Sequence, residues 1–175
     1  MFCIHSERLT LIPLAAEHIL LHKNDREALA KALGIRPSVI QMSAEMQAEM
    51  ADAYPYWMEH ISRNPSRYMW YTSWEIVHKQ KNESIGGIGI ASWPDAKGES
   101  MIGYVMDDRH HNQGFCTEAL ACLLAWMWQN PELKAVIADT PKENYPSNRV
   151  LEKNGFHVFA DEGDLLHWRL ERAAR

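Results

Sequence analysis

Apolar positions fall in short blocks of alternating strand-like and helix-like period, separated by polar or glycine-rich breaks. Arg8 to Leu14 predicts a first strand closed by Pro13. Ala15 to Leu33 carries Leu20, Leu21, Ala28, Leu29, Ala32 and Leu33 at helical spacing, with a break near Asn24-Asp25 and a stop at Gly34, three residues before Pro37. Ser43 to Ile61 predicts a second helical region, with Ser43 as cap and Pro55 as a break or kink. Met42, Met46, Met50, Tyr54 and Trp57 form a stripe at steps of three and four, which suits core packing better than a pocket. After a turn at Asn64-Pro65-Ser66, residues 67–79 predict a strand without a purely polar face, hence a sheet covered on both sides. Ser84 to Trp93 predicts the next strand; Gly86, Gly87 and Gly89 within it imply a bulge or a close backbone approach.

The most informative stretch runs from Met101 to Met127. Ile102 to Met106 suits a central strand, Asp107 to Gln113 contains no apolar residue, and Phe115 to Met127 is almost uniformly apolar at helical spacing. Gly114 stands at the junction. Helix-opening N–H groups lack internal partners and sit at the positive end of the dipole, so those around Gly114 can hold a phosphate or pyrophosphate. An ordinary strand–turn–helix is the competing reading. Further strands are predicted at Leu133–Ala138, Phe156–Phe159 and Leu165–Leu170, with a helix at Ser147–Asn154 closed by Gly155 and an acidic turn at Asp161–Asp164. The order predicts an α/β (mixed α+β) fold, a mixed sheet covered by helices, in one domain spanning residues 1–175.

Composition narrows the function. Hydrophobic residues make up 46% and charged residues 23%, as in a soluble globular chain, and no apolar run is long enough for a membrane span. A net charge of −5 argues against a nucleic-acid-binding surface and suits a cationic amine substrate. Cys3, Cys116 and Cys122 lack metal or disulfide spacing, and the histidines form no metal signature, so no metal is expected. The first residues do not read as a signal peptide, making the cytoplasm the expected location.

Two segments carry a family resemblance. His111-Asn-Gln-Gly-Phe-Cys116 resembles the pyrophosphate loop of the GNAT N-acetyltransferases, and Thr117-Glu-Ala-Leu120 resembles the helix opening of their ribosomal-protein N-terminal acetyltransferase-like branch. Asn144-x-x-Ser147 with Arg149 to Phe156 resembles that branch's second signature. The resemblance implies a mostly antiparallel twisted sheet with a splayed parallel strand pair, flanked by helices. Acetyl-coenzyme A would lie between the strands at 101–106 and 133–138, with the acceptor entering from the other side.

The resemblance also implies roles. Val105 and Met106 would offer backbone groups to the pantetheine arm and thioester. His111, Asn112, Gln113, Gly114 and Cys116 would wrap the pyrophosphate. Thr117 would touch a phosphate or cap local backbone, and Asn144 would bond the pantetheine amide or tie down the strand end. Many members place a tyrosine acid where this chain has Leu151. Ser147 is therefore the remaining candidate to protonate the leaving thiolate, or else a helix cap. Glu75 and Asp107 are the candidate general bases, and Tyr104 and Trp74 candidate acceptor-site linings. The expected reaction is direct acetyl transfer to a primary amine, either a protein N terminus or a small molecule, in a possible homodimer. The alternative is a non-catalytic acyl-coenzyme A-binding or sensory module.

Overall fold

A computed structural model describes residues 1–40 and 44–173. The elements are β1 (Ile4–His5), β2 (Leu9–Pro13), α1 (Ala16–Asn24), α2 (Arg26–Leu33), α3 (Ala44–Arg63), β3 (Ser73–His78), β4 (Glu83–Ile90), β5 (Glu99–Met106), α4 (Phe115–Met127), β6 (Ala135–Pro141), α5 (Tyr145–Lys153), β7 (His157–Glu162) and β8 (Leu165–Glu171). One eight-stranded sheet has the order β1-β2-β3-β4-β5-β6-β8-β7. Every neighbouring pair is antiparallel except β5–β6, which is parallel. This is the mixed sheet that the element order predicts.

Both faces are covered. Leu11, Trp74, Ile76, Ile88 and Ile102 pack with Leu120, Leu123 and Met127 of α4 in the main core. On the other face Leu14, Ile19, Leu29, Tyr54, Trp57 and Ile61 form a second cluster beneath α1–α3. All six residues of β3 are buried, because that strand lies between the two layers. Met50, Tyr54 and Trp57 of the methionine–aromatic stripe are core-facing; Met42 and the Ser43 cap lie outside the described residues, as does the Met46 side chain.

Several boundaries differ from the sequence expectation for local reasons. The break near Asn24-Asp25 is present: Asp25 caps α2, accepting from the Ala28 amide at 2.9 Å, and Gly34 ends α2 at φ +69°. Pro55 does not end α3, which runs through it. Proline deprives the Ala51 carbonyl of its partner, but both residues are exposed, so water can serve that oxygen. The strand predicted at 67–79 begins only at Ser73, because Pro65–Trp70 forms a 3₁₀ turn pinned by a Trp74 indole bond to the Met69 carbonyl. β6 starts later and runs further than expected, antiparallel pairing with β8 extending it to Pro141. α5 opens two residues before Ser147.

The glycine-rich strand behaves as its composition implies. The β3–β4 register passes from Ile76↔Gly86 to Val77↔Ser84, leaving Ile85 over as a bulge. A side chain at Gly86 would collide with the Val105 carbonyl and with Met106 Sδ, 2.8 Å away.

Candidate active site

The site is built around the end of one pairing. β5 and β6 are paired at Glu99↔Ala135, Ser100↔Val136 and Met101↔Ile137. Pairing then stops, although β5 continues to Met106 against β4 and β6 continues to Pro141 against β8. The two strands therefore diverge into a gap with unpaired backbone on its β5 wall. Strand alternation fixes which groups face it. The Met101 carbonyl and the Asp107 amide bond toward β4, so Ile102, Tyr104 and Met106 point their backbone groups toward the gap. This corrects one expected role. The Val105 carbonyl is turned toward Gly86 on β4, so its backbone does not face the gap. The Met106 carbonyl is occupied by His111 Nε2 at 3.2 Å.

Beyond Met106 the chain turns through a 3₁₀ segment, Asp108–His110, into the loop that opens α4. Asn112 and Gly114 both have positive φ, +57° and +79°. At Gly114 that conformation favours glycine, and its N-cap position removes any side chain from the helix mouth. Among the described residues, none of the backbone amides from Asn112 to Thr117 has a hydrogen-bond partner. A helix normally leaves about four such donors; this loop adds two. The loop side chains instead fold back onto their own backbone, His111 to the Met106 carbonyl and Gln113 Nε2 to the Arg109 carbonyl at 3.0 Å. A run of outward amides at the positive end of an apolar helix suits a diphosphate.

Cys116 sits on the first turn of α4, and burial pushes its thiol up to about 12, so it stays protonated and is a poor nucleophile. The Thr117 hydroxyl has no partner among the described residues. Glu118 is bound by Arg8 and Ser6.

The start of α5 is reached from β5 through Tyr104. Asn144, not Ser147, caps the helix: its Oδ1 accepts from the Ser147 amide at 3.2 Å. Pro146 suits the first turn, where no donor is lost. Ser147 is half-buried, and its side chain also hydrogen-bonds with the Tyr104 hydroxyl. Tyr104 donates its hydroxyl to the Ser147 carbonyl at 3.0 Å, spanning from β5 to α5 on the α4 side of the sheet. Trp74 is fully buried on that same side, as core rather than pocket lining.

The two carboxylates expected as bases are both engaged. Glu75 is buried, pairs with Arg26 Nη2 at 2.7 Å, and accepts from the Ser84 hydroxyl. Asp107 is also buried, bound by Arg109 Nη2 at 2.6 Å and by the Val39 amide at 3.1 Å. Its hydrogen bonds from the Arg109 side chain hold its pKa down to about 2. Such a carboxylate is a feeble proton acceptor at neutral pH. A carboxylate that sequence reading did not select stands on β6 just beyond the end of the β5–β6 pairing. Asp139 lies two residues beyond Ile137, the last β6 residue paired to β5, and is exposed. Its Oδ1 meets His167 Nδ1 at 2.7 Å, while Oδ2 has no partner among the described residues. Register places Asp139 on the sheet face shared by Met101, Gly103 and Val105, where Gly103 has open space beside it.

The "Acetyltransferase (GNAT) domain" family matches residues 8–157, and the chain belongs to that family. It is an acetyl-coenzyme A-dependent acetyltransferase of the mixed α/β GNAT fold. The uncharacterized N-acetyltransferase YjdG of Bacillus subtilis (strain 168) is 30% identical over 121 residues, 69% of this chain and 71% of that one. The ribosomal-protein-serine acetyltransferase of Escherichia coli (strain K12) is 31% identical over 86 residues, 49% of this chain and 48% of that one. Among solved structures, RimL, a ribosomal L7/L12 alpha-N-protein acetyltransferase in complex with coenzyme A, superposes with a TM-score of 0.69 at 16% identity, covering 97% of this chain and 98% of that one. Among the described residues no helix is long and apolar enough to cross a membrane.

Proposed function

We propose that the chain moves the acetyl group of acetyl-coenzyme A onto a primary amine by direct attack, with both substrates bound at the β5–β6 gap. The observation that carries this reading is the run of partnerless amides from Asn112 to Thr117 beside the point where β5 and β6 part. In this reading the diphosphate rests on those amides. The pantetheine arm follows the gap-facing groups of Tyr104 and the Met106 amide. Asn144 offers its side-chain amide nitrogen, which capping leaves free.

The acceptor amine approaches from the α1–α3 face, beside Gly103. A free amine attacks the thioester carbonyl, the tetrahedral oxyanion is met by a gap-facing amide, and the C–S bond breaks to release a thiolate. The Ser147 hydroxyl, or a water bound to it, protonates the sulfur. Asp139, whose Oδ2 is free among the described residues, attracts the ammonium form of the amine and takes its proton. His167 fixes its other oxygen, and Glu162, 3.6 Å from His167 Nε2, adds negative charge to that face. Glu75 and Asp107 serve the fold in this reading, since each is already neutralised by an arginine.

The test is calorimetric titration with acetyl-coenzyme A followed by acetylation assays on peptides, polyamines and amino acids. The reading expects saturable binding and release of one coenzyme A per acetylated amine. Binding without transfer to any amine would leave only a coenzyme-binding module; absence of binding would end the proposal.

A further inference from the structure

Arg8 stands at the start of β2, 105 residues before Gln113, and no role in the reaction follows from its place in the sequence. In the fold it lies behind the amide loop. Its Nη1 donates to the Gln113 carbonyl at 3.1 Å, and its Nε to Glu118 Oε2 at 2.6 Å. Its backbone amide donates to Glu118 Oε1 at 2.8 Å, beside the Ser6 hydroxyl at 2.7 Å. The guanidinium also lies over the Phe115 ring, 4.3 Å from its centroid. Nη2 lies 3.5 Å from where a Cβ on Gly114 would stand.

We propose that Arg8 is a positioning residue for the coenzyme's diphosphate: it holds the Gln113–Gly114 peptide so that its N–H faces outward. The inference rests on the loop assignment made above. In a trans peptide the C=O and N–H point in opposite directions. Fixing the Gln113 oxygen on the Arg8 side therefore turns the Gly114 N–H to the other side. Glycine at positive φ leaves this peptide unusually free to rotate, because no side chain resists the alternative. A rotated peptide would aim a carbonyl oxygen at the anion in place of a donor. Arg8 also matches the charge of Glu118, a carboxylate on the first turn of α4 that would otherwise weaken the positive end of the helix. Since Arg8 binds the carbonyl side of the peptide, it acts through the loop.

The experiment compares two acetyl donors, acetyl-coenzyme A and acetyl-pantetheine, which lacks the diphosphate. The wild-type chain is expected to prefer acetyl-coenzyme A in kcat/KM. In Arg8→Met the KM for acetyl-coenzyme A rises about tenfold to a hundredfold, the loss expected for a charge-assisted bond that orders a donor. Turnover of acetyl-pantetheine is affected far less. Arg8→Lys keeps the charge beside Glu118, and with it the fold, but one ammonium cannot serve both Glu118 and the Gln113 carbonyl. Most of the preference is therefore still lost.

Retention of the wild-type preference in either variant overturns the role of Arg8. So does an equal fall for both donors, which would mark a purely structural residue. A wild-type chain with no preference between the donors would instead sink the loop assignment itself.

Discussion

The Tyr104 hydroxyl donates to the Ser147 carbonyl at 3.0 Å, and this one bond joins the free wall of β5 to the first turn of α5. It ties β5 to α5 beside the point where the reaction is proposed to occur. Burial raises the Tyr104 pKa, so the hydroxyl remains a donor through the ordinary pH range. Tyr104→Phe leaves the Ser147 carbonyl without that partner. A loss of about 1 kcal/mol in stability is expected, together with a lower kcat as α5 loosens. Urea denaturation and steady-state kinetics check both.

Ser147 and Asn144 are separable by the same pair of measurements. Because Asn144 holds the cap, Asn144→Ala is expected to cost about 1 kcal/mol in stability. Ser147→Ala removes only the contact with the Tyr104 hydroxyl and leaves the cap in place, so it is expected to cost less stability than Asn144→Ala, but to lower kcat without weakening coenzyme binding. A stable variant with full kcat would remove Ser147 from the proton path.

Asp107 makes a pH prediction with a definite sign. Its folded pKa is depressed to about 2 by hydrogen bonds from Arg109. The stability it contributes is therefore fully present above the ordinary aspartate pKa of about 3.9 and is lost as pH falls through its folded value. Asp107→Asn is expected to destabilise the chain at neutral pH and to reduce the loss of stability on acidification in that range. Denaturation midpoints measured against pH read this directly.

For Asp139 the expected effect is on catalysis. Asp139→Asn should lower kcat/KM for amines about a hundredfold, the low end of what a general base contributes, with coenzyme affinity unchanged. The same change should lower the His167 pKa, which the Asp139 hydrogen bond raises first, with Glu162 adding to it. The stability arising from the raised His167 pKa is present below the ordinary histidine value and lost as pH rises through the folded one. Proton NMR of the His167 ring follows the shift; an unchanged His167 titration would contradict the pairing.

The contrast between Gly114 and Arg8 explains what the sequence disclosed. Gly114 announces itself locally: an apolar strand, seven polar residues, a glycine and an apolar helix are neighbours in the chain. Helix and strand periods gave most elements in the same way, because each records which side of its own segment is buried. Arg8 meets the loop only after the sheet has formed, so no local spacing reveals it. Glu75 on a strand and Asp107 just after one are the carboxylates the sequence places near the expected centre. Their arginine partners come from α2 and from the turn after β5, and only three-dimensional proximity shows that their charge is already matched. Asp139 carries no local signal, because its place beside the parting of β5 from β6 is a property of two strands together.

The central claim concerns the backbone amides from Asn112 to Thr117, and amide-resolved NMR observes them one by one. Titrating the nitrogen-15-labelled chain with coenzyme A should shift the Gly114, Phe115, Cys116 and Thr117 amides most strongly, with the Gly114 proton moving downfield as it gains an acceptor. Saturable binding that leaves those resonances in place while others move would show that the diphosphate lies elsewhere, and the account would fail.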